Sequence, residues 1–236
     1  MGAGISSNTG NCVETILENR KIALDGQNRV FLNGEEYELP LRKAQSGVLS
    51  SNRGEKVKAR TLTLEGECDS KISWYFPGKD PAELYLLKEQ RTGDWKHQGD
   101  FSGEVTASFF TALFRHGKNP EGAEYAYLIL PGMDSKQAVE FAKNPTIEVL
   151  QNDERAAAVL DKENSIIAVN FWQPGTVAGM ECDTPASVVL LKSKDRVAVA
   201  VADPTQRNRK IRLILPFEVR SVKKARCQCA SDQSGA

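Results

Sequence analysis

Arg60-Thr61-Leu62-Thr63-Leu64-Glu65 is the stretch on which the reading of the fold turns. Threonine and leucine alternate strictly, and a period of two places successive side chains on opposite faces of an extended chain. The stretch therefore predicts a β-strand with Leu62 and Leu64 on a buried face and Thr61 and Thr63 on a wet one. Gly66 ends it. On either side the pattern repeats: residues 30–32 run into Asn33-Gly34, and residues 72–76 run into Pro77-Gly78. Residues 84–88, 105–114, 125–130, 166–171, 188–191, 197–202 and 211–215 continue the series, with turn residues roughly every ten positions. Residues 108–114 and 126–130 are more continuously apolar, as strands covered on both faces are. The clearest tight hairpin is the stretch from Val30 to Glu35 around Asn33-Gly34.

One segment departs from this series. Asp134-Ser135-Lys136-Gln137-Ala138-Val139-Glu140-Phe141-Ala142-Lys143 offers an N-cap and good helix formers, and Pro145 stops it. The chain thus reads as all-β, an antiparallel β-sandwich over residues 1–133, a linking helix within 134–146, and a smaller β-sandwich over 147–236. A length of 236 residues suits one large or two modest domains.

Composition narrows the function classes. Hydrophobic residues make up 40% of the chain and charged residues 26%, the proportions of a globular protein rather than a disordered one. Thirty-one basic residues balance thirty-one acidic ones, which argues against general nucleic-acid or membrane-surface binding. No apolar run approaches the ~18–20 residues a membrane-crossing helix needs. Met1-Gly2-Ala3-Gly4-Ile5 lacks the basic and apolar regions of a signal peptide. Five cysteines (Cys12, Cys68, Cys182, Cys227 and Cys229) show no CxxC spacing, so neither a disulfide framework nor a zinc set is expected.

Candidates for chemistry are few. Only His97 and His116 could serve as the usual near-neutral base, and no carboxylate pair, phosphate loop or nucleophile motif accompanies them. His116 ends an apolar strand and reads as a hydrogen-bonded strand-end residue, whereas His97 reads as a loop residue. No catalytic residue, metal ligand or cofactor is expected. Binding signals are stronger. Between Thr205 and Arg226 lie Arg207, Arg209, Lys210, Arg212, Arg220, Lys223, Lys224 and Arg226 against Glu218 alone. Alternation sets Lys210 and Arg212 on one face, with Ile211, Leu213 and Leu215 on the other. Such a strip suits carboxylated or sulfated polymers through charge-assisted hydrogen bonds. Of the three tryptophans, Trp74 and Trp172 read as core, while Trp95, beside Arg91 and Lys96, reads as surface. Arg91, Trp95, Arg207, Arg209, Lys210 and Arg212 are the candidate substrate-binding residues.

Several phrases in order give a resemblance. Gly2-Ala3-Gly4-Ile5, Val13-Glu14-Thr15-Ile16, Glu18-Asn19-Arg20-Lys21, Ile72-Ser73-Trp74-Tyr75-Phe76-Pro77 and Arg91-Thr92-Gly93-Asp94-Trp95 open the series. His116-Gly117-Lys118 and Tyr125-Ala126-Tyr127-Leu128-Ile129-Leu130-Pro131 follow, then the stretch from Ile147 to Leu150, Phe171-Trp172 and Val201-Ala202-Asp203-Pro204-Thr205-Gln206. Together they resemble polysaccharide lyase family 8, the chondroitin, hyaluronate and xanthan lyases, from the middle of the central β domain to the C-terminal β domain.

The resemblance implies a partial super-sandwich (galactose-mutarotase-like) followed by a smaller β-sandwich. It implies an enzyme that cleaves uronate-containing polysaccharide by β-elimination, removing the C5 proton and expelling the C4 oxygen. The Asn, His, Tyr and Arg that do this lie on an N-terminal α/α toroid, and no motif here matches them. The expected partners are an anionic polysaccharide and that toroid, with no nucleic acid and no membrane, in an extracellular or periplasmic parent. The chain opens where the family is midway through its central domain and stops short of a further hairpin, so a fragment is expected. The alternatives are a stand-alone carbohydrate-binding module or a generic β-sandwich assembly domain.

Overall fold

A computed structural model describes residues 1–44, 54–97, 99–194, 196–207, 210–218 and 221. Its strands begin with β1 (Gly2–Ile5), β2 (Cys12–Ile22), β3 (Arg29–Leu32), β4 (Glu35–Tyr37), β5 (Leu41–Lys43), β6 (Glu55–Ala59) and β7 (Thr61–Glu65). Next come β8 (Lys71–Tyr75), β9 (Ala82–Asp94), β10 (Glu104–Lys118), β11 (Ala123–Tyr125) and β12 (Leu128–Pro131). After helix α1 (Ser135–Lys143) follow β13 (Ile147–Asn152), β14 (Ala156–Asp161), β15 (Ile166–Phe171), β16 (Gly175–Val177) and β17 (Met180–Cys182). The last are β18 (Ala186–Lys192), β19 (Val197–Ala202) and β20 (Leu213–Ile214).

The expected all-β class and its sandwiches are present. One sheet runs β2-β10-β9-β5, with β6 also on β9, and the other runs β12-β8-β7-β3-β4. All their pairings are antiparallel except β5 with β9. Leu62, Leu64, Trp74 and Phe76 of the second sheet share one core with Leu17, Leu84, Leu86, Phe110 and Ala112 of the first. Burying each large apolar side chain contributes about 1.5–3 kcal/mol before the entropy of ordering it is counted. Trp74 is wholly enclosed, and its Nε1 has no hydrogen-bond partner.

The strand 61–65 is not wet on either face. Thr61 and Thr63 are buried as deeply as the leucines. The cause is α1, which packs on the outer side of β7 and β8, with Ala138 enclosed and the Phe141 ring 5.5 Å from Tyr75 in an edge contact. A buried polar side chain needs a partner, and Thr63 finds one: its hydroxyl and Ser73 Oγ lie 2.7 Å apart, while Ser73 Oγ donates to the Met133 carbonyl. The helix starts where expected. Asp134 accepts from Gln137 N–H while the Gln137 side chain accepts from Asp134 N–H, a closed capping box.

The hairpin at Asn33-Gly34 also forms, with Leu32 opposite Glu35. Both turn residues have positive φ, 54° and 88°, as a type I′ turn requires. Gly34 is doubly constrained, because a Cβ there would stand 2.9 Å from Val139 Cγ2 of α1. The continuous run expected at 125–130 is instead divided: β11 pairs with β1, β12 pairs with β8, and Ile129 is half exposed. The run at 211–215 contributes only Leu213–Ile214 to a sheet.

In the second unit, β13-β14-β15-β18-β19 faces the smaller β16-β17-β20. Ala158, Val169, Phe171, Met180, Cys182, Val188 and Leu190 form its core. The units meet at the β13–β14 turn, where Asn152 Nδ2 donates to the carbonyls of Gly2 and Tyr125, each at 3.3 Å. Phe110 sits at the centre of the larger core. Phe110→Ala is expected to destabilise by about 3–5 kcal/mol, read as a lower urea midpoint with an unchanged slope.

Candidate functional site

The junction of the two units gathers a row of aromatic rings. Gly2 crosses the face of Tyr125 so closely that a Cβ would lie 2.6 Å from Cε1, so glycine is required for the approach. Tyr125 and Tyr127 stack with centroids 6.0 Å apart, and Phe114 lies 5.6 Å from Tyr125. His116 ends this aromatic row, 6.3 Å from the Tyr125 ring, with Nε2 2.8 Å from Thr15 Oγ1. It is thus a hydrogen-bonded strand-end histidine, as the sequence suggested. Burial pushes its pKa below the usual imidazole range. The nearby carboxylate of Glu14 is engaged by Arg115 at 2.9 Å, and the Arg115 guanidinium lies 3.9 Å over the Tyr85 ring. A neutral imidazole with a hydroxyl partner and ring neighbours does not make an acid–base pair.

Lys88 was missed by sequence reasoning. It follows Leu84 and Leu86 at every second position, so it belongs to the buried face, and that spacing is the signal that could have found it. Only 6% exposed, it donates from Nζ to the carbonyls of Gly26 and Asn28. Burial lowers its pKa, partly opposed by the charge of Glu36. It underlies a cleft of about 380 Å³ that also includes Arg29, Glu36, Tyr37 and Glu38. Arg29 is already clamped there by both oxygens of Glu36, at 2.9 and 2.7 Å. Lys88 therefore ties the 26–28 turn to β9 and offers no open cation.

The structure separates the residues singled out for binding into two groups. Arg91 and Trp95 lie toward the tip of the β9–β10 hairpin. Arg91 is engaged, its Nε 3.2 Å from Glu89 and its guanidinium 4.9 Å from the Phe109 centroid. Trp95 is half exposed in a short 3-10 turn, Trp95–His97. Asp94 accepts from Lys96 N–H and Gly103 N–H and so fixes that turn. Arg207, Lys210 and Arg212 are exposed at the far end of the second unit. Ile211, Leu213 and Leu215 pack on its core, so the alternation places the cations outward. Among the described residues no acid forms an ion pair with these three side chains. The acids there act on backbone: Asp203 accepts from Thr205 N–H and Arg207 N–H, and Asp183 from Arg212 N–H. Arg209, Arg220, Lys223, Lys224 and Arg226 lie outside the described residues.

Trp172 is not core, for it is half exposed. Val169 and Phe171 take the inward positions of β15, so the next side chain turns away. The Trp172 backbone N–H donates to Arg155 O at 2.8 Å, which holds the residue at the same end of the sandwich as Asp183 and Arg212. Among the described residues no group of three His, Cys, Asp or Glu side chains could hold a metal ion.

Residues 1–142 match the polysaccharide lyase family 8 super-sandwich domain, and residues 148–212 match that family's C-terminal β-sandwich domain. The chain is 35% identical to the xanthan lyase of Bacillus sp. strain GL1 over 217 residues, covering 88% of this chain and 22% of that protein. It is 28% identical to a hyaluronate lyase of Enterococcus faecalis, covering 94% of this chain and 21% of that one. The solved xanthan lyase of Paenibacillus superposes with a TM-score of 0.77 at 32% identity, over 87% of this chain and 20% of that one. The chain therefore spans about a fifth of the length of these relatives. Two successive sandwiches of this build are the β-domains of a polysaccharide lyase. The chain belongs to polysaccharide lyase family 8.

Two measurements check the electrostatics. Because the folded pKa of His116 lies below its unfolded value, the unfolded chain binds more protons between the two. Stability is therefore full above about pH 6.5 and is lost as pH falls toward the folded value. Urea midpoints between about pH 5 and pH 8 should show this slope, and His116→Gln should flatten it. Lys88→Met leaves two buried carbonyls without donors and should cost about 1–3 kcal/mol in the same measurement at neutral pH.

Proposed function

We propose that this chain is the non-catalytic β portion of a lyase that cleaves uronate-containing polysaccharide by β-elimination. It supports the substrate cleft and helps hold the anionic chain, while the proton-transferring groups reside on a helical toroid domain. The observation that carries this reading is the match of both successive β-domains to family 8, over about a fifth of the relatives' length. The relatives' names, xanthan lyase and hyaluronate lyase, point to an acidic polysaccharide as the substrate class. The arrangement at His116 supports an inert role, since its partners are a hydroxyl and aromatic rings. Removal of a C5 proton requires a base near the sugar and a neutralised carboxylate.

In this reading residues 1–133 belong to the central super-sandwich, 134–146 connect, and 147–236 form the C-terminal domain. The parent enzyme acts outside the cytoplasm, where its polymer is found. Arg207, Arg209, Lys210 and Arg212 supply cations for carboxylates or sulfates, and Arg91 and Trp95 form a second, weaker contact. The half-exposed rings of Trp95 and Trp172 keep a second reading in view, a carbohydrate-binding module that works alone.

Ultraviolet absorbance of the unsaturated product tests the first half of the proposal. The isolated chain should give no turnover on xanthan, hyaluronan or chondroitin sulfate, and robust turnover would overturn it. Affinity electrophoresis on the same polymers tests the second half. Retention should weaken with salt and fall about 3-fold to 100-fold on Arg207→Ala, Lys210→Ala and Arg212→Ala together. Unchanged retention would remove the basic strip from the proposal.

A further inference from the structure

The edge of the second unit is built to receive a strand. β19 reads Val-Ala-Val-Ala-Val-Ala, every one of its six residues is exposed, and among the described residues it is the last strand of its sheet. It contains no proline and no charge, and its pairing with β18 is regular throughout. Those are the devices by which natural edges are normally blunted, and here they are missing.

The direction of its free hydrogen-bonding groups follows from the ladder. Lys192 N–H donates to Ser165 O at 3.0 Å, on the β15 side of β18. In an antiparallel sheet a residue's N–H and C=O point the same way, and successive residues alternate. Leu191 and Val189 therefore point toward β19, where they lie opposite Ala198 and Ala200. The alanines thus bond to β18, and Val197, Val199 and Val201 turn their N–H and C=O groups to the open side. The same valines lie opposite Lys192, Leu190 and Val188, two of which are core residues, so their side chains share the sheet's inner face.

We infer that β19 pairs with β19 of a second copy of this chain, antiparallel about a two-fold axis through Val199. In that register Val199 lies opposite Val199, and Val197 opposite Val201. Every outward N–H meets an outward C=O, giving six hydrogen bonds. Valine meets valine on one face, and Ala198 meets Ala200 on the other. A shift by one residue would set the outward-bonding valines opposite alanines whose N–H and C=O groups already face β18, so that register forms no ladder. Arg196 of each copy comes opposite Ala202 of the other. The result is one ten-stranded sheet across two molecules. An edge pairing of this length hides on the order of 600 Å², about half the lower limit of a stable interface, so the dimer is weak and depends on concentration.

Sedimentation velocity of the 236-residue chain over a hundredfold concentration range tests this. The average mass should climb toward twice the monomer mass. Val199→Pro deletes an outward N–H that β18 does not use, and Val199→Lys places two ammonium groups face to face at the axis. Both should stay monomeric at every concentration while keeping the parent's circular dichroism and urea midpoint. Should Val199→Pro unfold the sheet, Val199→Lys carries the test alone. A wild-type mass that does not change with concentration, or equal association by the folded variants, would overturn the inference.

Discussion

The middle strands of the larger sandwich, β7 and β8, are dry on both faces, and the arrangement of this half of the chain depends on that. On one side Leu62, Leu64, Trp74 and Phe76 meet the long β9–β10 pair, and on the other α1 covers Thr61, Thr63, Ser73 and Tyr75. Burying hydroxyls carries a cost unless they are bonded to one another or to backbone. The Thr63–Ser73–Met133 chain of bonds meets that condition and so fixes where the segment leading into α1 must lie. The hairpin at Asn33-Gly34 obeys the same constraint, since Gly34 is pressed against Val139 of the helix.

Several aspartates of this protein serve the backbone. Asp134 caps α1, Asp94 and Asp153 each accept from two backbone N–H groups in turns, and Asp203 and Asp183 do the same work near Arg207 and Arg212. Backbone donors hold Asp94 and Asp153 below the usual carboxylate range. Acids used in this way remain ionised and are committed to turn geometry, which leaves neither of these two free to exchange protons with a substrate. The exposed side chains of Arg207, Lys210 and Arg212 form no ion pair among the described residues. In the proposed function these outward-facing groups contact a polyanion rather than act chemically upon it.

Much of the fold could be read from one sequence because its signals are local. Alternation at Thr61–Glu65, the Asn33-Gly34 turn and the Asp134 cap each depend on a few adjacent residues, and each gave the right element. What failed depended on distant packing. Nothing within residues 61–65 announces that a helix some seventy positions later will cover the threonines. Trp172 was misassigned for a different reason: aromatic size outweighed phase, although Val169 and Phe171 already marked the inward positions. Lys88 shows the reverse, a charged residue whose phase was correct for burial and whose charge hid it. At the candidate site the outward placement of Lys210 and Arg212 was legible, because one short alternation decides it. The engagement of Arg91 by Glu89 and Phe109 was not, because Phe109 comes from the neighbouring strand.

The three indoles occupy three different surroundings, and this makes the molecule its own spectroscopic ruler. Trp74 emits from a solvent-free interior with an unbonded ring nitrogen, whereas Trp95 and Trp172 stand at the surface of the hairpin and of the second sandwich. A collisional quencher dissolved in water reaches the latter two and leaves the first untouched until the larger core opens. Fluorescence quenching thus distinguishes loosening of the periphery from loss of the interior within a single unlabelled sample.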